Sequence, residues 1–137
     1  LDGRKMSKSY NNAIFLADSL EEIRQKLSQM VTDPQRARRK DPGNPEVCNL
    51  FPLHKIYSSK DRIEEIQREC PQAGIGCVDC KKWLIEEVLY ALAPIKAKRD
   101  ELIQNPDRVR DIMEAGNNRA RDYAQKTMDE VRQAIGF

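Results

Sequence analysis

Two lysines three positions apart, Lys5 and Lys8, stand in the run Gly3-Arg4-Lys5-Met6-Ser7-Lys8-Ser9, and the pair Asn11-Asn12 follows one residue later. Glycine, serine and asparagine favour turns and caps over helix interiors, so a loop is expected here. Lysine brings a compact positive charge on a flexible stem. The hydroxyls of Ser7 and Ser9 and the exposed backbone N–H groups add further donors. Such a loop suits a phosphate: it can neutralise charge that develops on a phosphoryl leaving group.

A second group with chemistry is the full set of cysteines. Cys48, Cys70, Cys77 and Cys80 follow the pattern C-x21-C-x6-C-x2-C. Cys77 and Cys80 span about one helical turn and can point at one centre. Cys70 lies across a glycine-containing loop that can fold back, and Cys48 on a separate helix would close the fourth side. Four thiolates suit structural zinc or a [4Fe–4S] cluster, and spacing does not choose between them. Free buried thiols, or a redox Cys-x-x-Cys pair, are the alternatives, although no βαβ setting accompanies the pair. His54, the one histidine, is expected as a packed or half-exposed residue because four cysteines already complete a site.

The densest basic run is Arg36, Arg38, Arg39 and Lys40. Its donors suit phosphate, and it is the candidate RNA contact. Lys81, Lys82, Lys96, Lys98 and Arg99 add scattered positive charge, while Trp83 and Phe51 offer rings for stacking on bases. For Trp83 the helical spacing favours a core position instead.

Helices must position these groups. Ser19-x-x-Glu22 reads as a capping box, followed by Leu20, Ile23, Leu27, Met30 and Val31 at helical spacing. A polar loop over 32–46 carries the basic run. Asn44-Pro45 starts a short helix with Val47, Leu50, Phe51 and Leu53, which Pro52 bends or interrupts. Ser59 caps a helix with Ile63 and Ile66 inward and Cys70 at its end. A long helix starts at Asp79 or Cys80, runs through Trp83, Leu84, Val88, Leu92 and Ile95, and is kinked at Pro94. Asn105-Pro106 caps a last helix whose inner stripe includes Val109, Ile112, Met113, Tyr123, Val131 and Ile135, with Gly116 marking a close helix–helix approach. The short run Ala13–Ala17 needs a core to pack on, expected in sequence outside this stretch. No segment alternates with period two, so the fold class is all-α.

The chain has 137 residues, enough for one domain with a modest core. At 39% hydrophobic and 34% charged it reads as soluble and helical. The net charge of only +2 puts any affinity for nucleic acid in local patches. No apolar run approaches the roughly 20 residues that span a bilayer, and no secretory leader is visible. A cytoplasmic protein is therefore expected. The first residue is Leu1, so the chain reads as an excised piece.

Lys5-Met6-Ser7-Lys8-Ser9 resembles, letter for letter, the KMSKS loop of class I aminoacyl-tRNA synthetases. With Thr32-Asp33-Pro34, Gly43-Asn44-Pro45 and the ending Ala134-Ile135-Gly136-Phe137, the whole chain resembles the C-terminal part of the tryptophanyl-tRNA synthetase family. The sister tyrosyl family shares the loop. The resemblance implies that residues 1–18 are the KMSKS loop and tail of a Rossmann catalytic domain lying ahead of Leu1, and that 19–137 form an α-helical anticodon-binding domain. It implies ATP with Mg²⁺, tryptophan and tRNA(Trp) as the ligands of the whole enzyme, a homodimer, and no activation of tryptophan by this piece alone. Lys5 and Lys8 carry over as the ATP-phosphate lysines, within a nucleotide-binding segment of Lys5, Met6, Ser7, Lys8 and Ser9. The cysteine pattern resembles a bacterial subset with a [4Fe–4S] cluster, which makes Cys48, Cys70, Cys77 and Cys80 its ligands. The rival reading is a non-catalytic Cys₄ helical module that binds nucleic acid or a protein partner.

Overall fold

Ser19 opens the first helix as its spacing requires. Its hydroxyl accepts from Glu22 N, and the Glu22 carboxylate accepts from Ser19 N at 2.6 Å, a complete capping box. A computed structural model describes residues 1–136. Five α-helices follow in order: α1 (Leu20–Gln29), α2 (Leu50–Tyr57), α3 (Lys60–Glu69), α4 (Cys77–Gln104) and α5 (Pro106–Ile135). Short 3₁₀ turns lie at Lys8–Tyr10 and Pro45–Val47. Among the described residues there is no strand, in line with the all-α expectation.

The chain divides into two compact units, Leu1–Lys96 and Ala97–Phe137. In the first, Ile23, Leu27 and Met30 of α1 meet Leu50 and Phe51 of α2, Ile66 of α3 and Leu84, Ile85, Val88 and Leu92 of α4. Removing these side chains from water is the main drive for the unit. The N-terminal segment belongs to the same core: Ala13 is buried, and Leu1 and Ile14 pack against it. The run Ala13–Ala17 thus finds part of its core within this chain, although Leu16 remains exposed. Leu20, Val31, Val47 and Ile95 also stay exposed, outside the stripes expected for them.

Proline placement differs from expectation in two places. Pro52 falls in the first turn of α2, where its absent N–H would have had no partner, so the helix is uninterrupted. Helix α4 continues through Pro94 and starts at Cys77, before the expected Asp79. Ser59 caps α3, its hydroxyl accepting from Arg62 N. Asn44 caps only the 3₁₀ turn Pro45–Val47, and α2 begins at Leu50.

The second unit holds the end of α4 and helix α5. Asn105 makes no side-chain cap there; its amide donates back to Glu101 O at 2.8 Å. The apolar stripe of α5 is not an inner one within the described residues: Ile112, Met113, Tyr123, Met128, Val131 and Ile135 are exposed. Among the described residues no atom lies within 4 Å of where a Cβ on Gly116 would be, so the expected close helix approach is not found there. Gly136 ends α5 in the left-handed conformation, at φ 80°. The expected ending reaches Phe137, which lies outside the described residues.

Candidate functional site

The lysine loop is held from beneath by one amide. Asn12 is buried, and its Oδ1 accepts from Ser7 N at 2.8 Å. Its Nδ2 donates to Asp2 Oδ1 at 2.9 Å and to Lys5 O at 3.3 Å. Ser7 in turn caps the turn Lys8–Tyr10, its Oγ accepting from Ser9 N. Gly3 sits at φ 86°, where a side chain would be strained and a Cβ would come within 3.3 Å of Asn49 Nδ2. Leu1 O accepts from Val31 N at 2.9 Å, which fastens the residue before the loop to the segment just after α1.

Arg4 is consumed locally. It pairs with Asp2 at 2.6 Å and lies over the Tyr10 ring at 4.5 Å. The Arg4 guanidinium and the Asn12 amide hold the Asp2 carboxyl well below the usual carboxylate range. Lys5, Met6, Lys8 and Ser9 are exposed, with Ser7 half-buried. No carboxylate pairs with Lys5 or Lys8 among the described residues. The loop therefore presents two free cations on a preformed backbone, which is what an incoming phosphate needs.

All four cysteines line one cavity of about 20 Å³, together with Arg36 and His54. Cys48 precedes α2, Cys70 ends α3, and Cys77 and Cys80 lie in the first turn of α4. The cavity has room for about one water molecule. Among the described residues no three His, Cys, Asp or Glu side chains are already arranged to hold a single metal ion. Gly43 donates to Cys70 O at 3.0 Å, and a Cβ there would fall 2.6 Å from Cys70 Sγ, so only glycine leaves space for that sulfur.

Burial pushes the Cys80 thiol up to about 12 and raises Cys48 and Cys70 as well. At Cys48 the N–H groups of Leu50 and Phe51 oppose the shift, and at Cys70 the Arg36 charge does. His54 is fully buried. Burial lowers it to about 4, so the imidazole is neutral at pH 7. Its Nε2 lies 3.3 Å from Cys80 Sγ and its Nδ1 lies 2.8 Å from Ser58 Oγ. A single histidine after an apolar run gave no sign of that sulfur contact, which joins residues 26 positions apart.

The basic run divides. Arg38, Arg39 and Lys40 are exposed, and Arg38 and Arg39 border a groove of about 220 Å³ that also touches Cys77. Arg36 departs from the RNA-facing role expected for it. It is buried: Nη2 donates to Ile75 O at 2.7 Å and Arg39 O at 2.8 Å, and Nη1 donates to Cys70 Sγ at 3.7 Å. Two loop carbonyls converge on the guanidinium and turn it inward. Its Nε has no partner, and no carboxylate pairs with it among the described residues. Trp83 is half-buried, with the Arg62 guanidinium 4.0 Å from its ring centre, so its face is already covered.

Two further anchors carry little signal in the sequence. Asn12 was visible only as half of an amide pair. Asp18 is buried and binds Lys26 at 2.6 Å, while its carboxylate also accepts from Phe15 N at 2.8 Å. Lys96 donates to Asp18 O. No helix among the described residues is long and apolar enough to cross a membrane.

Comparison with known proteins bears on the loop and the helices together. The tryptophan–tRNA ligase of Aquifex aeolicus is 42% identical over 99% of this chain and 35% of its own length. That of Deinococcus radiodurans is 44% identical over 100% of this chain and 42% of its own length. The crystal structure of tryptophanyl-tRNA synthetase from Campylobacter jejuni, complexed with ADP and tryptophane, superposes with a TM-score of 0.84. It shares 32% identity and covers 99% of this chain, which covers 42% of it. The chain thus spans 35–42% of the length of these relatives. Residues 1–93, from the lysine loop into α4, match the family described as tRNA synthetases class I (W and Y). On that match, which takes in more than half of its residues, the chain belongs to the class I tRNA synthetases of the tryptophan and tyrosine group.

Proposed function

We propose that this chain is the C-terminal portion of a tryptophan–tRNA ligase, supplying the phosphate loop and a surface for the tRNA anticodon. The observation that carries the reading is the lysine loop: two exposed, unpaired cations on a turn that Asn12 clamps into shape. In the whole enzyme the tryptophan carboxylate attacks the α-phosphorus of ATP, giving tryptophanyl-adenylate and pyrophosphate. The acyl group then passes to the 3′ end of tRNA(Trp), releasing AMP. Lys5 and Lys8 offset the negative charge that grows on the departing pyrophosphate, with Mg²⁺ sharing the load. The Ser7 hydroxyl, which accepts from Ser9 N, steadies the turn that carries the lysines rather than taking part in bond making.

On this reading residues 1–18 are the tail of a Rossmann catalytic domain and 19–137 the anticodon domain. Arg38, Arg39 and Lys40 form the RNA contact. The whole enzyme is a cytoplasmic homodimer.

Cys48, Cys70, Cys77 and Cys80 hold a [4Fe–4S] cluster. Two observations support the fit. All four thiols line one cavity, and a buried guanidinium with a bare Nε and no carboxylate partner lies against Cys70. A cluster held by four thiolates is anionic and supplies the counter-charge that Arg36 otherwise lacks. When bound, the cluster cross-braces the start of α2, the end of α3 and the start of α4.

The test is Lys8→Ala in the full-length protein, with ATP–pyrophosphate exchange as the readout. A fall of about 100-fold in kcat, near 2.7 kcal/mol of lost transition-state stabilisation, is expected. Unchanged exchange would favour a non-catalytic helical module instead.

A further inference from the structure

We propose that Arg36 and His54 are positioning residues of the four-cysteine centre, each donating a hydrogen bond to one sulfur: Arg36 to Cys70 and His54 to Cys80. The inference rests on the reading that these cysteines bind an iron–sulfur cluster, and it concerns what holds and tunes that centre.

Arg36 is 9% exposed. Burying a guanidinium is costly unless its charge is matched. Here two carbonyls satisfy Nη2, and the atom facing Nη1 is the sulfur of Cys70. A neutral thiol is a weak acceptor, whereas a thiolate is a strong, charged one. The guanidinium is thus in place beside a sulfur that would carry negative charge as a metal ligand.

His54 repeats the arrangement on another element. It is 0% exposed on α2, and its ring spans the 2.8 Å to Ser58 Oγ and the 3.3 Å to Cys80 Sγ. In the tautomer that carries its proton on Nε2, Nδ1 accepts from the Ser58 hydroxyl and the Nε2–H points at the sulfur. Both donors are anchored away from the cysteines, Arg36 by Ile75 O and Arg39 O, and His54 by Ser58. They can therefore fix the direction in which two of the four sulfurs face.

Hydrogen bonds to cluster sulfurs stabilise the more negative, reduced state and raise the potential. Losing one donor should therefore lower the midpoint potential and loosen the iron. The experiment uses the full-length protein purified anaerobically with its iron, alongside Arg36→Met, Arg36→Lys, His54→Leu and His54→Gln. Iron content, the rate of iron loss to a chelator and the midpoint potential are read, with far-ultraviolet dichroism to confirm folding.

Arg36→Met and His54→Leu are expected to lose iron about tenfold faster. They should shift the oxidised-to-reduced ratio about tenfold, which is 59 mV for one electron. His54→Gln keeps a donor near the Nε2 position and should retain most of the wild-type behaviour, as should Arg36→Lys through its charge. If either apolar variant fails to fold, the remaining pair carries the comparison. Iron loss and potential at wild-type values in folded Arg36→Met and His54→Leu overturn the proposal and leave the cluster reading intact. A wild-type protein holding neither iron nor zinc overturns both. A protein holding zinc shifts the decision to release rate alone: tenfold faster loss supports the two donors, and unchanged loss refutes them.

Discussion

Asn12→Ala gives the sharpest test of how the lysine loop is organised. The substitution deletes three hydrogen bonds at once: Ser7 N to Oδ1, and Nδ2 to both Asp2 Oδ1 and Lys5 O. Each is worth about 0.5–1.5 kcal/mol net. The loop borders solvent, and water replaces part of what is lost, so about 2 kcal/mol is a fair sum for the ordered loop. The loop can open locally without unfolding α1 to α4, so this loss appears in loop population more than in global stability. A shift of about 2 kcal/mol lowers the ratio of ordered to open loop roughly 30-fold. ATP–pyrophosphate exchange in the full-length enzyme should fall by that factor in kcat/KM for ATP, while the urea midpoint of the helices barely moves. Asn12→Asp is expected to be no milder, because it keeps the acceptor for Ser7 N but sets a carboxylate against Asp2. Exchange within twofold of wild type in Asn12→Ala would show that the amide does not shape the loop.

Three further outcomes follow from the same structure. Burial alone would raise the Asp18 carboxyl, but the hydrogen bonds from Lys26 and Phe15 N outweigh it and hold it below its usual range. Its stabilisation is therefore complete above about pH 4, the unfolded value, and is lost as pH falls through the lower folded value; Asp18→Asn should cost about 1–3 kcal/mol at pH 7 by urea titration, with the gap to wild type closing in acid. Gly43→Ala sets a methyl 2.6 Å from Cys70 Sγ and 3.2 Å from Arg36 Cδ, so it should cost about 1–3 kcal/mol and lower iron content, and an unchanged midpoint and iron load would refute the packing argument. Replacing Arg38, Arg39 and Lys40 together by alanine should weaken tRNA binding and flatten its salt dependence, reducing the log–log slope by about 2–3; an unaltered slope would place the RNA elsewhere.

Local signals were legible in the sequence because they are local physics. The Ser19 capping box, the Ser59 cap and the α1 stripe of Ile23, Leu27 and Met30 all depend on neighbours within about one turn, and all appear as read. The convergence of the cysteines on one cavity was also legible, since their spacing places them at helix ends around one loop. What stayed hidden depends on distant partners. Arg36 looked like one more cation in a basic run, and the carbonyls of Arg39 and of Ile75, 39 residues away, turn it inward. The apolar stripe of α5 obeys helical periodicity, yet periodicity states that a face is apolar and not what covers it. Asn12 gave no signal because an amide's role is set by whichever backbone it meets.

The fastening of Leu1 to Val31 limits what the lysine segment can do. Its other end is tied to α1, where Lys26 donates to Ala13 O and to the Asp18 carboxylate. A ribbon fixed at both ends bows and does not swing like a tether. Residues 2–12 have a contour of about 37 Å, so the crest can rise no more than about 18 Å even with the Asn12 amide released. The stroke is short, so on the proposed reading a nucleotide has to be brought to the lysines.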